Sequence, residues 1–394
     1  MKQRKLLVLF IICLLTVSLA ACGDNGNVQD DYPPASEGLK FTMYDTYCEV
    51  SGIGECQDTD IVIPRSYNDL PVTGIAMGAF FRNATITSVR IPDSVATIGL
   101  RAFEECDSLA SVTIDGGTTA IDMLAFANCT ALTSVKMGEG VTAIGDWAFS
   151  GCTSLTDVTI PDSVTTVGHS VFWECYSLTN VTIGKGLTAI GESMFYKTGL
   201  TSVTIPDGIT FIGYQAFLGA DFTSVTIPDS VTTIGKEAFA YTPLTSVTIP
   251  DGVTTIGNAA FYGCTGLKSV TIPDSVTFLG SSTFSECTGL TDVTIGKGVT
   301  VIDDYAFYNC SSLTCATIPE GVTTIGYSAF SGCRNLTDVT IPKSVTSVGG
   351  WGFRDCSNLR TVYYLGSKAD WEKIAMDGGN VELKWADIHY EGES

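Results

Sequence analysis

Leu155 to Phe172 reads LTDVTIPDSVTTVGHSVF, and the same pattern recurs from Ile61 to Val362. Its most regular member is a phenylalanine, usually after alanine, at Phe80, Phe103, Phe126, Phe149, Phe172, Phe195, Phe217, Phe239, Phe261, Phe284, Phe307, Phe330 and Phe353. The spacing is 23 residues, except for three consecutive steps of 22 between Phe195 and Phe261. A period this regular predicts a solenoid, in which each unit is too small to bury its own apolar face and must stack on its neighbours.

Within one unit Val158 and Ile160 share a strand face, whereas Asp157 and Thr159 point away. Pro161 lacks the N–H that a ladder needs, so with Asp162 and Ser163 it ends the strand in a turn. Val164 and Val167 follow too closely for a helix and suit a short second strand. Gly168 then releases the chain into a turn, expected to be helical, that carries Phe172 and Cys175 inward. One unit is one coil, and stacked coils make parallel sheet.

The stretch LTDVTIPDSVTTVGHSVFWEC resembles the leucine-rich repeats of the bacterial surface protein BspA class, which run Leu-x-x-Val-x-Ile-Pro-x-x-Val-x-x-Ile-Gly-x-x-Ala-Phe-x-x-Cys. The resemblance covers roughly three quarters of the chain. It implies a leucine-rich repeat solenoid: a right-handed coil with a parallel β-sheet, short second strands and helical turns. It also implies an exported, surface-associated binding or adhesion protein, and it names no ligand.

One repeat array explains 394 residues better than several ordinary domains. Residues 1–21 read as a lipoprotein signal peptide, with Lys2, Arg4 and Lys5 before an apolar run from Leu6 to Val17. Ser18-Leu19-Ala20-Ala21-Cys22 resembles a lipobox, which implies cleavage before Cys22 and acylation of its thiol and new amino terminus. The protein is thus expected to be exported, anchored to the membrane by its N-terminal lipid alone and exposed at the cell surface. Loss of the leader's three basic residues leaves 18 basic against 42 acidic residues, a net charge of −24. Such a chain is not drawn to nucleic acid or anionic lipid. Residues 22–38 read as an acidic flexible linker, 39–75 as an N-terminal cap and first repeat, 76–362 as the array and 363–394 as a C-terminal cap. In the last segment Ser367 is placed to cap a short helix carrying Trp371, Ile374 and Ala375 on one face, and residues 386–390 read as a closing strand.

Cys48 and Cys56 flank Gly52 and Gly54 and are expected to face each other across the opening hairpin, in a compartment that permits a disulfide. Cys106, Cys129, Cys152, Cys175, Cys264, Cys287, Cys310, Cys333 and Cys356 each stand three residues after a phenylalanine. Ligands every 23 residues form a row rather than a tetrahedron, so these read as buried thiols and not as zinc ligands. The cysteine position is expected to vanish from the shortened units. No metal or other cofactor is expected, although the turn acids Asp207, Asp229, Asp251 and Asp274 stand in consecutive coils and raise calcium as a lesser alternative. The outward threonines in line with Thr159 suit an exposed strand.

Aromatic residues vary around the phenylalanine corner, and Trp147, Trp173, Tyr176, Tyr196, Tyr262 and Tyr308 are the candidate contacts for an extracellular protein or glycan, host-derived partners included. Phe81, Tyr214, Tyr241, Tyr305, Tyr327 and Trp351 lie around the same corner. Catalysis finds no foothold: the two histidines, His169 and His389, are far apart in the array, and no nucleophile elbow, phosphate loop or metalloprotease motif occurs. Asp303, Asp304 and the irregular turn at Asp115-Gly116-Gly117 leave a paired-carboxylate hydrolase as a rival. The expectation is a non-catalytic binding protein, with adhesion as its role. The alternatives are a structural envelope protein without a ligand and a glycan-binding accessory to a surface hydrolase system. Nothing in the sequence sets an oligomeric state.

Overall fold

The computed structural model describes residues 32–391. The chain divides into Met1–Pro33 and a compact unit, Pro34–Ser394. Cys22 and the expected signal peptide lie outside the described residues. The last residues of the expected linker belong to the folded unit, because Ser36 is buried and its N–H donates to Val62 O at 3.0 Å.

Alternation along each coil builds the core. In the coil quoted above, Leu155, Val158, Ile160, Val164, Phe172 and Cys175 are buried, whereas Asp157 and Thr159 are exposed. The turn after the strand closes where Val164 N–H donates to Pro161 O at 3.1 Å. Asp162 Oδ1 accepts from Lys185 N–H in the following coil, and Ser163 Oγ donates to Val141 O in the preceding one. The turn side chains therefore tie neighbouring coils together.

Two rows of parallel strands result. The first row runs as a six-stranded sheet from Asp60–Val62 to Asn180–Thr182, continues as the pair Ser224–Thr226 and Ser246–Thr248, and ends as a six-stranded sheet from Ser269–Thr271 to Asp387–Tyr390. Between the first two pieces the chain makes only the bridge Thr204 to Thr226. After the longer opening strands Lys40–Met43, Cys48–Gly52 and Leu70–Ile75, the second row consists of two-residue strands such as Thr166–Val167, and it is interrupted after Val167 and after Leu279. Phe80 to Phe353 form an unbroken column of nearly parallel rings, with centroids 4.8–5.7 Å apart. Each such pair adds about 0.5–1.5 kcal/mol beyond the area it buries.

The corner is not helical, contrary to expectation. Two residues per coil, two before and two after the phenylalanine, have positive φ, as at Arg101 (57°) and Glu105 (57°) around Phe103. Hydrogen bonds within the coil, Ala102 N–H to Gly99 O and Cys106 N–H to Phe103 O, alternate with bonds to the next coil, Phe103 N–H to Ala125 O and Glu105 N–H to Ala127 O. A helix would turn all these donors along its own axis; the left-handed residues turn every second one toward the neighbouring coil. Gly168, by contrast, serves close approach, since a Cβ there would collide with the backbone of Asp146.

The cysteine position persists in the shortened units, where Thr198, Ala220 and Thr242 occupy it and are buried. The lost residue lies between that position and the following leucine. In the middle shortened unit Phe222 stands in the leucine's place, edge-on to Phe217 at 5.6 Å and to Phe239 at 6.3 Å, beside the small Ala220.

The array begins with an antiparallel hairpin, Lys40–Met43 against Cys48–Gly52, whose second strand pairs in parallel with Leu70–Ile75. The expected Cys48–Cys56 disulfide is absent: both thiols are free and buried. The reason is where the hairpin turns. The chain reverses between Met43 and Cys48, so Cys48 opens a strand and Cys56 lies beyond its far end, and Cys48 Sγ is directed at Pro71 O at 3.6 Å. At the other end Ser367 caps Lys368–Trp371 by accepting from Asp370 N–H. Ile374 is buried, Ala375 enters a short strand, and a second helix, Val381–Trp385, precedes the closing strand Asp387–Tyr390.

Candidate binding face

Because the left-handed corner directs its N–H groups to the next coil, some of the side chains between them are left facing solvent. Trp147, Tyr241, Tyr305 and Trp351 all adopt positive φ and are all exposed. That conformation is uncommon for bulky residues and is held here by the bonds on either side.

The six candidate contacts do not form one patch. Trp173 and Tyr196 stack at 5.7 Å in adjacent coils, and Lys197 Nζ lies 5.3 Å from the Tyr196 ring. Trp147 and Tyr176 are exposed, and the hydrogen bond to Glu174 raises the Tyr176 phenol above its ordinary value. Tyr262 meets Tyr241 edge-on at 5.1 Å, and burial, then Tyr241, raises its phenol. Tyr308 joins a larger group near the C-terminal end: Tyr305 lies 5.7 Å from Tyr308 and 5.4 Å from Tyr327, and Tyr327 lies 5.3 Å from Trp351. Arg354 places its guanidinium 5.0 Å from the Trp351 ring. Burial, followed by Tyr327 and Asp304, raises the Tyr305 phenol.

The strand face offers open hollows instead of aromatic contacts. One of about 520 Å³ is bordered by Thr182, Lys185, Thr204 and Asp207, and another of about 840 Å³ by Thr271, Asp274, Thr294 and Lys297. Of the two turn acids there, Asp274 is engaged with backbone, its Oδ1 accepting from Lys297 N–H at 2.8 Å. Among the described residues no group of three or more His, Cys, Asp or Glu side chains converges to hold a metal.

The rival catalytic residues are dispersed and occupied. Asp303 Oδ1 accepts from Asp304 N–H and Asp304 Oδ1 from Tyr327 N–H. Asp115 pairs with Arg90 at 3.4 Å, His169 lies 3.6 Å from Glu192, and His389 stacks on Tyr363.

Comparison with known proteins agrees with this architecture. The family described as BspA type leucine rich repeat region (6 copies) matches residues 73–198, 119–243 and 232–360. Among solved structures, a leucine-rich repeat protein from Bacteroides ovatus is 27% identical with a TM-score of 0.72, covering 91% of this chain and 99% of its own. A leucine rich cell surface protein from Faecalibacterium prausnitzii is 31% identical with a TM-score of 0.54, covering 88% of this chain and 99% of its own. The pneumococcal vaccine antigen PcpA, at 15% identity and a TM-score of 0.50 over 91% of this chain and 98% of its own, shares the fold. No curated protein matches the chain by sequence. Repeat scaffolds of this kind generally bind rather than catalyse. On its repeat, its coil geometry and the family match across most of its length, the chain belongs to the BspA-type leucine-rich repeat family.

Proposed function

We propose that this is a non-catalytic adhesion protein, exported, lipid-anchored through Cys22, and binding an extracellular protein or glycan through the corner face of its array. The observation that carries the reading is the exposure of large aromatics in left-handed corner positions, Trp147, Tyr241, Tyr305 and Trp351. Rigid aromatic anchors on an extended repeat surface are what partner recognition uses. The leader and lipobox pattern and the cell-surface description of the Faecalibacterium relative support the location.

The test is binding of the full-length chain to extracellular-matrix proteins, mucins and bacterial glycans. Saturable binding that weakens in the Trp173→Ala/Tyr196→Ala or Tyr305→Ala/Trp351→Ala variants is expected. Concentration-dependent self-association without binding would favour a structural envelope role instead. Incorporation of a labelled fatty acid, lost in Cys22→Ala, tests the anchor.

A further inference from the structure

Five successive coils carry Tyr262, Ser285, Tyr308, Ser331 and Arg354 at the same position, one residue after the corner phenylalanine. Large side chains alternate with serine. The position two before the phenylalanine adds Tyr305, Ser328 and Trp351 over the last three of these coils. The coil carrying Ser328 and Ser331 is therefore low between Tyr308 on one side and Arg354 on the other, while its own Tyr327 ring stands between Tyr305 and Trp351 and closes the back of the slot. Sides two coils apart stand about 10 Å from each other, twice the ~4.8 Å step between neighbouring strands. The slot is an open hollow of about 350 Å³, at the small end of ligand sites.

Its floor is polar: Ser328 and Ser331 are 3% and 5% exposed and both line the slot, with Arg354 and Asp355 at its rim. The rings of Tyr308, Tyr305, Tyr327 and Trp351 meet in turn at 48–79° to one another, and this row lines the slot. Trp351 is fixed from behind by Gly379, where a Cβ would collide with its ring.

Charge narrows the ligand. Arg354 Nε and Asp355 Oδ2 are 3.6 Å apart, so the rim's charges compensate each other. The guanidinium already lies on the Trp351 ring, where a quaternary ammonium would have to sit. A neutral ligand with apolar faces and many hydroxyls remains. We propose that the slot over Ser328 and Ser331 binds one or two sugar rings of a neutral, extended polysaccharide. Tyr308 and Tyr305 pack against the C–H face of a ring, and the two serines, Arg354 and Asp355 bond its hydroxyls. The repeat of the same alternation at Tyr262, Ser285 and Tyr308 lets a chain of β-1,4-linked glucose or mannose continue along the axis, since such a chain repeats every two rings and the slots every two coils. The inference rests on the binding role proposed above and names its ligand class.

The experiment titrates the full-length chain with cellohexaose, mannohexaose and xylohexaose, and with choline as a cationic probe, by calorimetry and tryptophan fluorescence. Saturable binding of at least one hexaose is expected, weakened tenfold or more by Tyr308→Ala or by Arg354→Ala, and abolished by Ser331→Tyr, which fills the floor. Lys136→Ala, exposed on the strand face and outside the slot, should leave it unchanged. Choline binding in place of the hexaoses, or hexaose binding indifferent to all three slot variants, overturns the proposal. Saturable capture of a matrix protein or mucin with no hexaose binding overturns the slot alone; failure of both sets of ligands overturns the binding role as well.

Discussion

The thiol of Cys175 donates to the carbonyl oxygen of Phe149 in the preceding coil, at 3.2 Å. The same bond recurs at all nine corner cysteines, including Cys106 to Phe80 and Cys356 to Phe330, both at 3.1 Å. A small, buried donor is needed there, and in two shortened units Thr198 and Thr242 supply a hydroxyl to their own coil's phenylalanine carbonyl instead.

Thiol reagents should therefore fail to label the nine corner cysteines of the native protein. After denaturation without reductant, all twelve cysteines of the described residues should be labelled, Cys48 and Cys56 among them. Mass spectrometry of the alkylated chain reads both results. Native labelling at most corner positions would contradict their burial.

Burial also makes the array sensitive to alkali. It raises the thiols of Cys106, Cys175 and Cys333 from an ordinary 9.0 to about 12, and that of Cys264 to about 11. The folded state thus keeps protons that the unfolded chain gives up. The stabilisation is complete below pH 9 and is lost as pH rises from there toward 12, by up to about 1.4 kcal/mol per pH unit for each thiol. Replacing Cys106, Cys129, Cys152 and Cys175 by serine should flatten the fall of Tm above pH 9. An equal fall in that variant would mean that other groups drive it.

Phe239 lies between Phe217 at 5.5 Å and Phe261 at 5.4 Å, with Phe222 at its edge. Phe239→Ala should cost about 3–5 kcal/mol, read by chemical denaturation. A loss below about 1 kcal/mol would show that the column is not the core's anchor.

Gly379 combines a φ of +86° with close contact to the Trp351 ring. Gly379→Ala should destabilise the closing segment by about 1–3 kcal/mol and shift tryptophan emission. Hydrogen exchange over residues 375–390 would localise the effect, and unchanged protection there would refute it.

Calcium should leave Tm unchanged. Asp162 and Asp274 already accept backbone N–H groups from the following coil, and Lys185, Lys297 and Lys343 interrupt the acidic row. A rise in Tm on adding calcium that a chelator reverses would restore calcium as a ligand of that row.

Most of the coil was legible because its signals are local and repeated. Val158 and Ile160 share a face, Pro161 ends the strand, and Phe172 returns every 23 residues. The left-handed corner was not, because glycine marks it only at places such as Gly151 and Gly332, whereas Arg101, Leu124 and Glu237 carry no such mark. Their φ is imposed by bonds to the next coil, which no single repeat displays. The Cys48–Cys56 expectation failed for a related reason: Gly52 and Gly54 suggested the reversal, but Asp45 and Thr46 make it. The aromatic residues were visible as variable positions, yet the slot appears only when positions two before and one after the phenylalanine are known to share a face.

The interruptions in the two strand rows never fall at the same level. Where the first row breaks between Thr182 and Thr204, the second joins Ile190 to Ile212; where the second breaks after Leu279, the first joins Thr271 to Thr294. The seams are offset as in brickwork, and the phenylalanine column runs behind all of them. A tensile load along the axis therefore meets no plane of weakness, so a molecule pulled by one end should yield from its termini inward and not part in the middle.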